Sequence, residues 1–168
     1  MVTALKRWAR HLGAGPWTRR RAFPQALLDE IEQLVRDLES QHPGEIRFAV
    51  ETALDPADLW RGLGPRERAV ELFSRLRVWD TEHNNGVLIY LLLADRDVEI
   101  VADRGVGEGR VPQAEWQRCC RVMQQYFAKG RFREGAIAGL QQVAAVLAQY
   151  PPGRPDHGNE LPDRPAVL

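Results

Sequence analysis

The chain has little of what catalytic or membrane-spanning proteins usually carry. Its 168 residues include only two serines, Ser40 and Ser74, and both fall within helical patterns. No G-x-S-x-G, P-loop or H-E-x-x-H motif is present. Serine-nucleophile, P-loop nucleotide and zincin chemistries therefore have no sequence anchor. The longest apolar run, residues 87–93, falls far short of the ~18–20 residues that a membrane span needs. The two cysteines, Cys119 and Cys120, are adjacent. On a helix, neighbours diverge by about 100° and are poorly placed to bond each other. With no C-x-x-C, they read as reduced, packed thiols of a cytoplasmic protein. The N-terminus also lacks the apolar core of a secretory signal, which again leads to the expectation of a cytoplasmic chain.

Acid is missing from one end. Residues 1–28 hold Lys6, Arg7, Arg10, Arg19, Arg20 and Arg21 and no Asp or Glu, although the whole chain has zero formal net charge. Residues 29–150 hold 15 basic and 20 acidic residues. A basic head on a mildly acidic body is the main electrostatic signal. One reading is an amphipathic helix over residues 3–12 that docks on the domain through Leu5, Trp8, Ala9 and Leu12. Another is attachment of residues 1–21 to an anionic membrane surface. Nucleic acid is disfavoured, because six charges without an aromatic stacking platform are a weak footprint.

What is present is a pattern of alternating helices and strands. Leu27, Leu28, Ile31, Leu34, Val35 and Leu38 recur at helical spacing behind Pro24. Residues 45–51 alternate, with Ile46, Phe48 and Val50 on one side, as a strand does. Residues 54–64 read as loop or short helix, and a helix follows from Pro65 to near Trp79. The apolar run 87–93 predicts a central strand covered on both faces. A turn at 94–97 returns the chain as an antiparallel strand over 98–101. The first strand reaches the central one through a helix, so that pair is expected to be parallel. Two more helices follow, one from Pro112 to about Phe127 and one over 133–150. The polar, proline-rich residues 152–168 are expected to be disordered. The predicted fold is α/β: a small mixed sheet with a parallel crossover and an antiparallel hairpin, sandwiched by α-helices. The predicted organisation is a basic segment over 1–22, a domain over 23–151 and a tail over 152–168.

Chemistry, if any, is expected at the polar ends of the hairpin. Residues 80–86 place oxygen-bearing side chains at alternate positions, a pattern that hard cations favour. Asp80, Glu82 and Asn84 match the first positions of an EF-hand loop. The match then fails, with Asn85 at the glycine position and Leu91 at the bidentate-glutamate position. A simpler reading is a turn in which Asn84, Asn85 and Gly86 tolerate left-handed backbone. Asp103 ends the returning strand beside the glycine-rich loop 105–109, while Asp95 and Asp97 read as ordinary turn residues. Antiparallel pairing would set the start of one strand beside the end of the other, so Asp80 and Asp103 could meet. Asp80, Glu82, Asn84, Asn85 and Asp103 are thus the candidate ligands for calcium or another divalent cation. Asp80, Asp103 and His83 are the candidate acid–base residues. The glycine loop has G-x-G-x-G spacing and follows a hairpin strand, which argues against dinucleotide binding.

Several segments together resemble a known family. They are Ile46 to Val50, Leu72 with Phe73, Asn84 to Leu93 followed by Asp95 to Asp97, Ile100 to Gly105, Trp116, Phe127, and Gly130 with Gly135 to Gly139. In combination they are similar to the TPM domain, named for thylakoid lumen, photosystem repair and receptor-modulator proteins, over roughly residues 23–151. The resemblance implies a helix-covered central sheet. It also implies possible calcium binding and, from a plant member, an acid phosphatase activity. Asn84, Asn85, Gly86, Asp103 and Gly105 match the family's asparagine-glycine turn and post-hairpin loop. The chain looks like a short cytoplasmic branch of that family. The functional expectation is a non-enzymatic accessory domain that binds a protein partner, or a membrane surface as a peripheral inner-membrane protein. The alternative is a metal-dependent acid phosphatase.

Overall fold

A computed structural model describes residues 2–107, 109–151 and 158–168. In chain order its helices and strands are α1 (Val2–Gly13), α2 (Pro16–Ala22), α3 (Gln25–Glu39), β1 (Glu45–Glu51), α4 (Pro56–Trp60) and α5 (Pro65–Arg75), then β2 (Gly86–Leu92), β3 (Asp97–Ala102), α6 (Gln113–Phe127), α7 (Phe132–Gln149) and β4 (Ala166–Val167). The strands form one sheet in the order β3-β2-β1-β4. β1 and β2 are parallel, with Ile46 opposite Val87 and Glu51 opposite Leu92. β2 and β3 are antiparallel, with Val87 opposite Ala102 and Leu92 opposite Asp97. This is the expected mixed sheet, with the helical crossover and the hairpin in their predicted places.

Every residue of β2 is buried, because both sheet faces are covered. Phe48, Ile89, Leu91 and Ile100 pack on one face against Phe23, Ile31, Met123, Phe127 and Leu140. Ala49, Leu88, Tyr90 and Leu92 pack on the other against Leu59, Leu72 and Val78. Fully burying one such large side chain contributes about 1.5–3 kcal/mol, so the two layers account for most of the driving force. A polar knot sits within the second layer. Arg68 donates to both oxygens of Glu51, at 2.9 and 2.6 Å, and the Tyr90 hydroxyl donates to Glu51 Oε2 at 2.5 Å. Burial raises the Tyr90 pKa above its ordinary value, so the phenol keeps its proton as donor.

Three expectations are corrected. α1 docks through only one member of its apolar stripe: Trp8 packs against the second layer, whereas Leu5 is 74% and Leu12 65% exposed. α5 ends at Arg75 rather than near Trp79, and Arg77 then adopts a φ of 55°, which lets Val78 turn into the core. Of the supposedly disordered tail, residues 158–168 pack against the body, while 152–157 lie outside the described residues. Glu45 Oε2 accepts the Leu161 N–H at 3.0 Å, Arg47 donates to the Pro162 carbonyl at 2.6 Å, and β4 pairs in parallel with β1. Polar β1 side chains thus hold a segment that is too poor in apolar residues to be held by burial alone.

Cys119 is buried and Cys120 half-buried, and neither is in a disulfide. Burial pushes their thiols up to about 11 and about 12 respectively, so both are protonated and unreactive at neutral pH.

Candidate functional site

The antiparallel register brings the two polar ends of the hairpin to one sheet edge. The Gly105 N–H donates to the Asn84 carbonyl at 2.8 Å, and the Asp103 N–H donates to the Gly86 carbonyl at 2.9 Å. Asn84 takes a φ of 51°, as the turn reading required. A Cβ on Gly105 would collide with the carbonyl oxygens of His83 and Asn84. Glycine is therefore what lets this loop lie against the turn.

The side chains at this edge are less convergent than the backbone. Arg104 Nε donates to Asn84 Oδ1 at 3.0 Å, which places a guanidinium beside the asparagine. Asp103 Oδ1 accepts the Arg104 N–H at 2.8 Å, while Asp103 Oδ2 is buried and has no hydrogen-bond partner. Asp80 is exposed and pairs with Arg77 at 3.3 Å. Glu82 is exposed, and its backbone N–H is held by the Glu160 carboxylate at 3.0 and 3.1 Å. Asn85 is fully buried and donates to the Pro43 carbonyl. His83 is half-buried. Asn84 and Asp103 are thus brought to the same edge. Asp80 is turned to Arg77 and Asn85 to Pro43. Among the described residues no three His, Cys, Asp or Glu side chains are grouped to hold a metal ion. Calcium prefers six to eight oxygens, and here the Arg104 guanidinium occupies Asn84 Oδ1. In this arrangement the residues do not fit a calcium cage.

A second constellation lies at the opposite end of the hairpin, and the sequence did not mark it as a site. Asp95, in the β2–β3 turn, has a side chain only 8% exposed. Arg7 Nε donates to its Oδ2 at 2.9 Å and Arg10 to its Oδ1 at 3.0 Å. His11 is buried, with Nε2 lying 3.1 Å from Asp95 Oδ1, off the line of a straight hydrogen bond. The Leu54 N–H donates to His11 Nδ1 at 3.0 Å, which leaves Nε2 to carry the proton of a neutral imidazole. Arg7 also donates to the Leu63 carbonyl at 2.8 Å. Burial lowers the His11 pKa and outweighs the pull of Asp95. Burial alone would raise Asp95, but hydrogen bonds from Arg7 and Arg10, with His11 close by, hold it below its ordinary value.

α1 is therefore fastened by Arg7, Trp8 and His11. On a helical wheel Arg7 and His11 point more than 100° away from the centre of the Leu5–Ala9–Leu12 stripe, while Trp8, at the edge of that stripe, packs against the second layer. That stripe faces solvent together with Trp17 of α2, which is 64% exposed. Lys6, Arg20 and Arg21 are exposed alongside. The signal that could have found this was already in the chain: a basic helix with a mid-face histidine, and an aspartate directly after the most buried strand.

A four-stranded mixed sheet between helical layers, with a glycine-rich loop laced to an Asn-Asn-Gly turn, defines a small α/β sandwich domain. The chain belongs to the TPM domain family, whose model matches residues 20–146. Among solved structures it is similar to the BA42 protein of the psychrophilic bacterium Bizionia argentinensis, at 28% identity and a TM-score of 0.73, over 85% of this chain and 93% of that one. The N-terminal domain of a P. gingivalis protein shares the fold, at 22% identity and a TM-score of 0.61, over 80% of this chain and 82% of that one. No curated protein matches the chain. No helix among the described residues is long and apolar enough to cross a membrane.

Proposed function

We propose that this chain is a non-enzymatic accessory domain of the TPM family that attaches peripherally to an anionic membrane surface, at the cytoplasmic side of the inner membrane, and offers its body to a protein partner. One observation carries the reading: α1 spends its charged edge on Asp95 and turns its apolar stripe outward. A helix that docks on a soluble body normally does the reverse. Leu5, Leu12 and Trp17, flanked by cations with no acid in the first 28 residues, match the make-up of an interfacial helix.

Flotation of the full chain with anionic and with zwitterionic vesicles tests it. The chain should float only with the anionic ones, less so at high salt, and the Leu5→Glu/Leu12→Glu/Trp17→Glu variant should stay in solution. A salt-insensitive, concentration-dependent dimer that the same variant abolishes would instead assign the face to a second copy of this chain.

The second reading is a metal-dependent phosphatase at the Asn84–Asp103 edge. It is favoured only by the buried, unpartnered Asp103 Oδ2, and it requires Arg104 to release Asn84. Calorimetry with calcium or magnesium decides it: divalent binding that Asp103→Asn abolishes, together with phosphomonoester turnover, would favour this reading over the first.

A further inference from the structure

The α1–α2 pair does more than display an apolar stripe. Behind it lies an open groove of about 560 Å³, walled by both helices, the β2–β3 turn and the α6–α7 connection. Its cations are Arg10, Arg21 and Arg96, its apolar walls include Trp17, Leu93 and Phe132, and no acidic side chain lines it among the described residues. Arg10 already serves Asp95, whereas Arg96 donates only a long bond to the Ala128 carbonyl, at 3.5 Å, and neither Arg21 nor Arg96 has a carboxylate partner among the described residues. Arg96 also stands at a φ of 54°, a conformation that glycine or asparagine adopts at lower cost. Two uncompensated guanidiniums facing one concave space produce a strong local positive potential, and guanidinium forks match phosphate oxygens in geometry.

We propose that this groove binds the phosphate of an anionic phospholipid headgroup, held between Arg21 and Arg96 while Trp17, Leu5 and Leu12 enter the acyl boundary. The inference rests on the membrane reading above and gives it a chemical specificity. Trp17 supports the lipid source over a free anion, because it belongs both to the groove wall and to the exposed apolar face. A headgroup seated in the groove therefore keeps its glycerol end beside the inserting side chains. The two guanidiniums would replace the water and counter-ions around the phosphate, and the tryptophan would cover the site from bulk solvent.

The test compares two charge-matched double variants of the full chain on vesicles of zwitterionic lipid doped with phosphatidylglycerol or phosphatidic acid. Arg21→Gln/Arg96→Gln removes the groove cations, and Lys6→Gln/Arg20→Gln removes two exposed cations outside it. All four residues are exposed, so both variants should unfold at the wild-type denaturant concentration. Diffuse attraction is worth about fivefold per charge, so losing any two cations should weaken partitioning about thirtyfold. The groove variant should lose roughly a further tenfold. Equal losses in the two variants would overturn the headgroup site while leaving peripheral attachment standing. No wild-type binding to any anionic vesicle would remove both proposals. A third arm titrates inorganic phosphate and glycerol 3-phosphate, followed by the arginine Nε–H resonances. Weak millimolar shifts at Arg21 and Arg96 are expected, and saturation by free phosphate at vesicle-like affinity would overturn the lipid source in favour of a soluble anion.

Discussion

Replacing Asp95 by alanine removes the one group on which Arg7, Arg10 and His11 converge. The magnitude follows from the geometry. The Arg7–Asp95 bond is 2.9 Å long, and the two side chains are 24% and 8% exposed, so it is largely shielded from water. A charge-assisted hydrogen bond of that kind contributes about 1.5–3 kcal/mol. Arg10 is 56% exposed and adds little after solvent screening, about 0.5 kcal/mol or less. His11 adds little, because its Nε2 lies off the line of a hydrogen bond to Asp95. Docking of α1 should therefore weaken by about 2–3 kcal/mol, roughly 30- to 150-fold in the docked-to-undocked ratio. Hydrogen exchange reads this directly: amide protection in residues 4–12 should fall by about that factor, while β2 keeps its own. Acidification should act in the same sense. A folded-state pKa for His11 below 6.5 means that the unfolded helix takes the proton first. The stabilisation is then complete above about pH 6.5 and is lost as pH falls through the folded value. Wild-type protection of α1 in Asp95→Ala would refute the claim that charge, rather than apolar packing, fastens this helix.

Other perturbations test the body of the domain. Arg68→Ala leaves Glu51 buried without its bidentate partner and should cost about 3–5 kcal/mol in denaturant unfolding, whereas Tyr90→Phe should cost only about 1–2 kcal/mol; equal effects would contradict the assignment of Arg68 as the main partner. Gly105→Ala should destabilise by about 2 kcal/mol or more, since the colliding atoms are backbone carbonyls that cannot step aside; a neutral result would mean that the loop does not lie against the Asn84 turn. Glu39 is raised to about 9, first by burial and then by the nearby charges of Glu45 and Asp163, so its protonated form is favoured in the fold. That preference favours folding below the unfolded value near 4.5 and is progressively lost as pH rises towards 9. Glu39→Gln should therefore be more stable than wild type at pH 7, by on the order of 2 kcal/mol, with a gap that closes below pH 4.5.

Much of the fold was legible because burial on two faces writes a short pattern. An apolar run of strand length, a turn, and a second alternating run could hardly be anything but a central hairpin. The shared edge of Asn84 and Asp103 followed from antiparallel pairing alone. The orientation of α1 did not follow from the sequence. Periodicity shows that Leu5, Trp8, Ala9 and Leu12 share a face, but not whether that face meets the protein or something else. Asp95 looked like an ordinary turn residue, because its importance comes from residues more than 80 positions away. The segment after residue 157 looked disordered for a related reason. Its attachment comes from Glu45 and Arg47, polar residues of a strand that was read for its apolar side. Asp80 illustrates the limit of spacing arguments: it sits at the right place in the chain, but its side chain is turned to Arg77.

Hydrogen exchange on the full chain, with and without anionic vesicles, tests the central claim most directly. The account predicts new protection confined to residues 4–21 and to the turn carrying Arg96, with the edge at Asn84 and Asp103 unchanged. Protection appearing at that edge instead, or nowhere, would contradict it.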